Sequence, residues 1–207
     1  MEKPLLIIGA TSGIGKLTME EALQRGLPVR AFARSADKGP EAPSLERFPG
    51  AALNAADVSA ALAGVGGVIV ALGIRERLAM LWEEETLFSR STEILLEELH
   101  KAQVGRLIVV TGVGAGRSRA AMSSIERLGR AYADKPRQEA VIEQSSLDWT
   151  IARPVILTNR PASGRFKVLE EPSTWRNGLI ARADVARYLV DAYQQDLHVK
   201  QDVVLAR

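Results

Sequence analysis

The sequence predicts an α/β protein built on a doubly wound parallel sheet, and three observations carry that expectation. The stretches Leu5-Leu6-Ile7-Ile8, Val68-Ile69-Val70-Ala71-Leu72 and Leu107-Ile108-Val109-Val110 are unbroken apolar runs of strand length. Such runs fit strands buried on both faces, whereas an alternating pattern would mark a sheet with one wet face. The runs lead into glycine-bearing turns, and helix-forming segments lie between them, the order of βα units that feed a parallel sheet covered on both sides. At 207 residues the chain is long enough for one well-buried core, so a single domain over 1–207 is expected.

The first βα unit carries the strongest chemical signal. After the strand comes Gly9-Ala10-Thr11-Ser12-Gly13-Ile14-Gly15, then a helix-forming run over 16–25. Gly9 permits a sharp turn off the strand. Gly13 lacks the Cβ that would keep backbone N–H groups away from a pyrophosphate, and Gly15 lets the helix pack closely on the sheet. The helix N-terminus then directs its partial positive charge at the phosphates, so Thr11, Ser12 and Ile14 join the three glycines as candidate cofactor contacts. A phosphate loop of the Walker type would need glycine at 10 and a hydroxyl at 17; the chain has Ala10 and Leu17, which excludes it. Strand, glycine turn and helix in this order point to a dinucleotide site.

A second strand is expected over 28–33, and the residue that closes it discriminates NAD from NADP. A carboxylate there accepts hydrogen bonds from ribose hydroxyls; an arginine pairs with the 2′-phosphate. This chain has Arg34-Ser35, with Lys38 nearby and its first acid only at Asp37. NADP (NADPH) is therefore the expected cofactor. Residues 35–50 contain three prolines and read as loop, with a weak third strand near 45–48 or 51–53 left open. Asp57 and Val58 either lie beside the adenine or mark a helix whose N-cap is Asp57, and both readings stay open.

Beyond the strand at 68–72, the backbone of Ala71, Leu72 and Gly73 can run beside a ribose and the pyrophosphate. A long helix is expected over 83–101, with acids in its first turn and Lys101 at its end, as the helix dipole favours. The strand at 104–110 discharges into Thr111-Gly112-Val113-Gly114-Ala115-Gly116. Residues 117–133 are basic and partly helical in pattern. Asp134 is expected to cap a helix to about 145, with Pro136 tolerated in the first turn. A strand at 149–152 ends at Arg153-Pro154, 161–177 is loop-rich, and 184–193 forms an amphipathic helix burying Val185, Tyr188, Leu189, Ala192 and Tyr193. Residues 203–206 are expected to close the sheet.

Composition narrows the function classes. Hydrophobic residues make up 46% and charged residues 25%, ordinary for a globular protein. A net charge of +2 is too small to imply nucleic acid as a partner, although a pI near 9.0 leaves a mild bias toward anions. The chain has no cysteine, which removes disulfides and thiolate chemistry, and its two histidines, His100 and His198, lie too far apart for a persuasive metal site. No signal peptide precedes Leu5 and no apolar run approaches the length of a membrane span, so a cytoplasmic location with no membrane partner is expected.

The order of these pieces resembles the atypical short-chain dehydrogenases/reductases, the group that includes NmrA-like proteins and NADPH-dependent flavin/biliverdin reductases. Beyond the glycine motif and Arg34, the likeness runs through 68–73 and 109–116, then Leu147-Asp148-Trp149-Thr150-Ile151-Ala152-Arg153-Pro154, Thr158-Asn159 and Arg182-Ala183-Asp184-Val185-Ala186. It covers almost the whole chain. The resemblance implies an NAD(P)-binding Rossmann fold, small substrate-side loops around 154–180 and a small-molecule substrate.

The chain departs from the superfamily at its proton-transfer dyad. Those dehydrogenases place a tyrosine four residues before a lysine, and a serine after the strand corresponding to 107–111. The family's Lys-x-x-x-Glu pattern falls on Lys135 and Glu139, so the tyrosine position is occupied by Ala131. Tyr132 is one residue out of register; a kink before Pro136 would swing it inward, which keeps it as a candidate displaced acid. The resemblance places Thr111, Lys135 and the backbone of Pro154, Val155 and Ile156 at the nicotinamide end. Hydride delivery to a conjugated acceptor needs no strongly activated tyrosine, because the acceptor delocalises charge and takes its proton from water. The implied activity is NADPH-dependent reduction of a flavin or other conjugated acceptor. The alternative is a non-catalytic, NmrA-like NADP(H) redox sensor. A sugar-nucleotide epimerase, which would keep the Tyr–Lys pair and add a larger substrate domain, is disfavoured.

Overall fold

The computed structural model describes residues 2–73, 86–112, 134–175 and 178–207. Among them, strands and helices alternate: β1 (Leu5–Ile8), α1 (Gly13–Gln24), β2 (Val29–Ala33), β3 (Leu45–Pro49), α2 (Ala55–Leu62), β4 (Gly67–Val70), α3 (Leu87–Ala102), β5 (Arg106–Val110) and α4 (Lys135–Glu143). They continue through β6 (Asp148–Pro154), β7 (Ile156–Thr158), β8 (Lys167–Leu169), β9 (Leu179–Ala181), α5 (Arg182–Gln194) and β10 (Gln201–Ala206).

Eight strands form one sheet in the order β3-β2-β1-β4-β5-β6-β10-β8, and β7 pairs with β9 in a separate short parallel ladder. Seven strands of the main sheet are parallel; only β8 is antiparallel, against β10. Side chains alternate across the sheet and divide the core in two. Leu5 and Ile7 pack with Met19 and Ala22 of α1 and Val185, Tyr188 and Leu189 of α5. Leu6 and Ile8 pack on the other side with Val58 of α2, Leu95 and Leu99 of α3 and Ile142 of α4. The unbroken apolar runs are thus a consequence of burial on both faces, with Leu5, Leu6, Ile7 and Ile8 all at most 2% exposed.

Several expected elements shift. The third strand is β3 at Leu45–Pro49, paired in parallel with β2, so 35–50 is not all loop; a short 3-10 turn also covers Ala36–Lys38. Asp57 is not the N-cap of α2. Asn54 holds that position, its side chain accepting from Ala56 N and Asp57 N, while an Asp57 carboxylate oxygen accepts from Ala51 N at 2.9 Å. Asp134 does stand at the N-cap of α4 but makes no capping bond there; instead it accepts from Ser89 N at 2.9 Å and ties α4 to α3. The helix expected over 83–101 is described from Leu87, and its acids Glu83, Glu84 and Glu85 lie outside the described residues, as do 117–133 with Ala131 and Tyr132. Finally, β10 does not close the sheet, because β8, drawn from the stretch read as loop, adds an antiparallel edge beyond it.

Candidate functional site

The strand order reverses between β1 and β4, and in an open α/β sheet ligands bind at that reversal, beyond the carboxyl ends of the strands. The register there is continuous. Ile8 lies opposite Phe32 of β2 and Val70 of β4, Val70 opposite Val109 of β5, and Val110 opposite Ala152 of β6. Gly9–Gly15, Arg34–Ser35, Ala71–Gly73, Thr111 and Pro154–Ile156 therefore all emerge along one edge, from five neighbouring strands.

At the centre of that edge the backbone is packed more tightly than any side chain would permit. Gly9 has φ +89°, and a Cβ on it would lie 2.6 Å from the Ala71 carbonyl oxygen. A Cβ on Gly15 would lie 2.2 Å from the Gly9 carbonyl oxygen, so α1 meets the turn backbone to backbone. Gly13 differs: it has φ +57° with nothing among the described residues within 4 Å of its Cβ direction, and the same holds for Gly73. Ser12 sits at the N-cap of α1 without a side-chain capping bond, and the first turn carries no acid. An open, left-handed glycine before a helix N-terminus without a side-chain cap leaves oriented backbone N–H groups that can take an anion such as a phosphate. Thr11 and Ile14 are half-buried beside it.

Arg34 is exposed at the end of β2, with Ser35 half-buried next to it. The other arginines of this corner are engaged. Arg30 pairs with Glu46 at 2.7 Å and Arg47 with Glu41 at 2.7 Å, whereas no ion pair holds Arg34 among the described residues. Asp57 is half-buried and occupied by Ala51 N; Val58 is 1% exposed in the core beneath.

The other end of the edge is built from buried charge. Arg153, on β6, is fully buried. Its Nε donates to Glu139 Oε1 at 3.0 Å and its Nη2 to Glu139 Oε2 at 2.8 Å. Its Nη1 donates to Asp202 of β10, and the Trp175 ring centroid lies 5.3 Å from the guanidinium carbon. Glu139, on α4, also accepts from Thr111 Oγ1 at 2.6 Å. Lys135 opens α4, donates from Nζ to the Thr111 carbonyl at 2.7 Å and lies 5.3 Å from the Phe88 ring centroid. Burial pushes the Lys135 ammonium down to about 8, with Glu139 partly opposing the shift. Thr111 and Lys135 are thus in direct contact.

Pro154 forms the last residue of β6 rather than a turn. The Val155 N–H is taken by the Leu205 carbonyl at 3.1 Å and its side chain is buried, while Ile156 is 59% exposed. Ile156 pairs in register with Leu179, itself 48% exposed, so the β7–β9 ladder presents two exposed apolar side chains shortly after the end of β6. The surrounding loop is well tied. The buried Asp184 carboxylate accepts from Ser163 N, Ser163 Oγ and Gly164 N at 2.8–3.1 Å, and Arg182 donates to Asn159 Oδ1 at 2.7 Å. The motif blocks at 158–159 and 182–186 therefore meet.

Sequence reasoning quoted Arg153 and Glu139 only as motif letters and overlooked Asp202 and Trp175. The available signal was an arginine inside an otherwise apolar strand, which must find carboxylates if it is buried.

A family model described as NAD(P)H-binding matches residues 9–196. An uncharacterised chloroplastic protein of Arabidopsis thaliana is 29% identical over 210 residues, spanning 94% of this chain and 73% of that protein. Among solved structures, ChuY, an anaerobilin reductase of Escherichia coli O157:H7, superposes with a TM-score of 0.84 at 28% identity, over 98% of this chain and 96% of that one. A short-chain dehydrogenase/reductase of Veillonella parvula in complex with NADP gives a TM-score of 0.81 at 16% identity, over 100% of this chain and 95% of that one, a likeness of fold alone. The resemblance to atypical short-chain dehydrogenases/reductases drawn from the motifs agrees with these matches. Among the described residues, no helix is long and apolar enough to cross a membrane.

Proposed function

The chain belongs to the NAD(P)H-binding family, and from that premise we propose that it is an NADPH-dependent reductase of a flavin or another conjugated acceptor. One observation carries the acceptor class. Ile156, two residues beyond the end of β6, and its ladder partner Leu179 are exposed apolar side chains on which a flat ring can stack. The NADP preference rests on Arg34, exposed at the strand end without a carboxylate partner among the described residues. In this reading Gly9–Gly15 hold the pyrophosphate, Arg34 and Ser35 the 2′-phosphate, Asp57 and Val58 border the adenine, and Ala71–Gly73 border the ribose. Lys135 and Thr111 hold the nicotinamide riboside near Pro154–Ile156. When bound, the cofactor supplies the hydride. The chain's own residues orient it and shape the acceptor's place. Residues 1–207 act as one NAD(P)-binding unit with small substrate-side loops around 154–180, in the cytoplasm. That the E. coli relative is an anaerobilin reductase supports a reductase reading.

Steady-state NADPH oxidation against flavins, quinones, tetrapyrroles and simple ketones tests the proposal. The expected result is turnover of conjugated acceptors only, with Tyr132→Phe changing kcat by less than about threefold, against the roughly 10²–10⁴-fold contributed by a positioned general acid. A ketone activity that collapses in Tyr132→Phe contradicts it. The NADP(H) sensor is favoured by a separate observation: Ala131 stands at the acid position, and the Thr111 hydroxyl is already donated to Glu139. Tight NADPH binding with no acceptor reduced would select that reading.

A further inference from the structure

Among the described residues, the amide N–H, the carbonyl oxygen and the hydroxyl proton of Thr111 each have a partner. Its backbone N–H donates to the Ala152 carbonyl at 3.0 Å, its carbonyl accepts from Lys135 Nζ at 2.7 Å, and its hydroxyl proton goes to Glu139 Oε1 at 2.6 Å. The direction of that last bond is not free to reverse. Both Glu139 carboxyl oxygens accept from Arg153, at 3.0 and 2.8 Å, so the side chain faces Thr111 as an acceptor. Arg153 is itself fixed, fully buried between Glu139 and Asp202 with Trp175 over its guanidinium. A hydroxyl whose proton is committed in this way can offer a ligand acceptance only.

We infer that Glu139 and Arg153 are positioning residues that lock Thr111 as a hydrogen-bond acceptor toward the bound nicotinamide, where it selects the carboxamide N–H2. The inference rests on the proposed placement of the nicotinamide end at Thr111. It has a chemical corollary: Thr111 cannot donate to a substrate carbonyl oxygen, which is the task an alcohol side chain would have in ketone reduction. The polarity of this position is thus set by α4 and β6, not by the threonine itself.

The test compares binding of NADP⁺ with that of its 3-acetylpyridine analogue, which keeps the carbonyl and loses the N–H2 donors. Calorimetric titration of the wild type is expected to favour NADP⁺ by about tenfold, the worth of one satisfied buried hydrogen bond. Thr111→Ser keeps the hydroxyl and is expected to keep the ratio; Thr111→Val is expected to bring it near one. Glu139→Met, checked for folding by thermal unfolding, removes the acceptor of the hydroxyl proton and is expected to reduce the ratio as well. If that variant does not fold, the Thr111 pair decides. A wild-type ratio near one, loss of the ratio in Thr111→Ser, a Thr111→Val ratio equal to wild type, or a folded Glu139→Met with the ratio intact overturns the inference. Failure of the wild type to bind either dinucleotide would instead overturn the proposed function on which it rests.

Discussion

The two ends of the candidate site are built from opposite materials. At the phosphate end the chain withholds side chains: Gly9 and Gly15 are pressed against backbone, Gly13 has no described neighbour within 4 Å of its Cβ direction, and Arg34 reaches out unpaired among the described residues. At the chemical end it does the reverse. Arg153, Glu139, Asp202, Lys135 and Thr111 are all at most 8% exposed and bonded to one another. An anion that arrives with its own charge needs only oriented N–H groups and room, at little desolvation cost to the protein. A ring that must be oriented for hydride transfer needs fixed polar groups, and charges buried to provide them must be paired almost completely.

The comparison breaks most sharply at Arg153. Arg153→Met keeps much of the volume but strands two buried carboxylates, so unfolding free energy is expected to fall by about 3–5 kcal/mol, read by urea denaturation. A loss below about 1 kcal/mol would mean that the charges are not mutually dependent. At the phosphate end the expected effect falls on binding instead. Gly13→Val should cost only about 1–2 kcal/mol of stability, since φ +57° is poorly suited to valine. It should weaken NADPH by about a hundredfold or more, because its methyls crowd the oriented N–H groups. Normal NADPH affinity in that variant would remove the glycine turn from the site.

A pH titration sharpens the same contrast. Lys135 titrates at about 8 in the folded protein, below its ordinary 10.5. Between those values the unfolded chain holds the extra proton, so this residue's penalty is fully present below pH ~8 and is relieved as pH rises toward ~10.5. The difference in stability between wild type and Lys135→Met is therefore expected to narrow over that window by an amount on the order of 3 kcal/mol. A pH-independent difference would place the lysine in a more solvated setting.

The contrast also explains what was legible. The strands, the glycine turn and the closing Arg34 are local features, each visible within a dozen residues, because burial on both faces and tight turns impose residue types directly. The buried network is not local. Thr111 finds Glu139 28 positions away, Arg153 finds Asp202 49 positions away, and neither pairing leaves a periodic trace. The third strand is ambiguous for another reason: β3 is an edge strand, only partly buried, with prolines around it, so its apolar signal is weak. The edge strand β8 has three residues, too few to show a period.

We propose that this site binds NADPH and chooses it over NADH through Arg34, which has no ion pair among the described residues. Calorimetric titration of the wild type and Arg34→Ala with both cofactors tests it most directly. A charge-assisted contact to the 2′-phosphate is worth roughly 1.5–3 kcal/mol, so NADPH should bind at least about tenfold more tightly than NADH. Arg34→Ala should erase that preference and leave NADH binding unchanged. Equal wild-type affinities, or an Arg34→Ala protein that still prefers NADPH by the wild-type margin, would contradict the account.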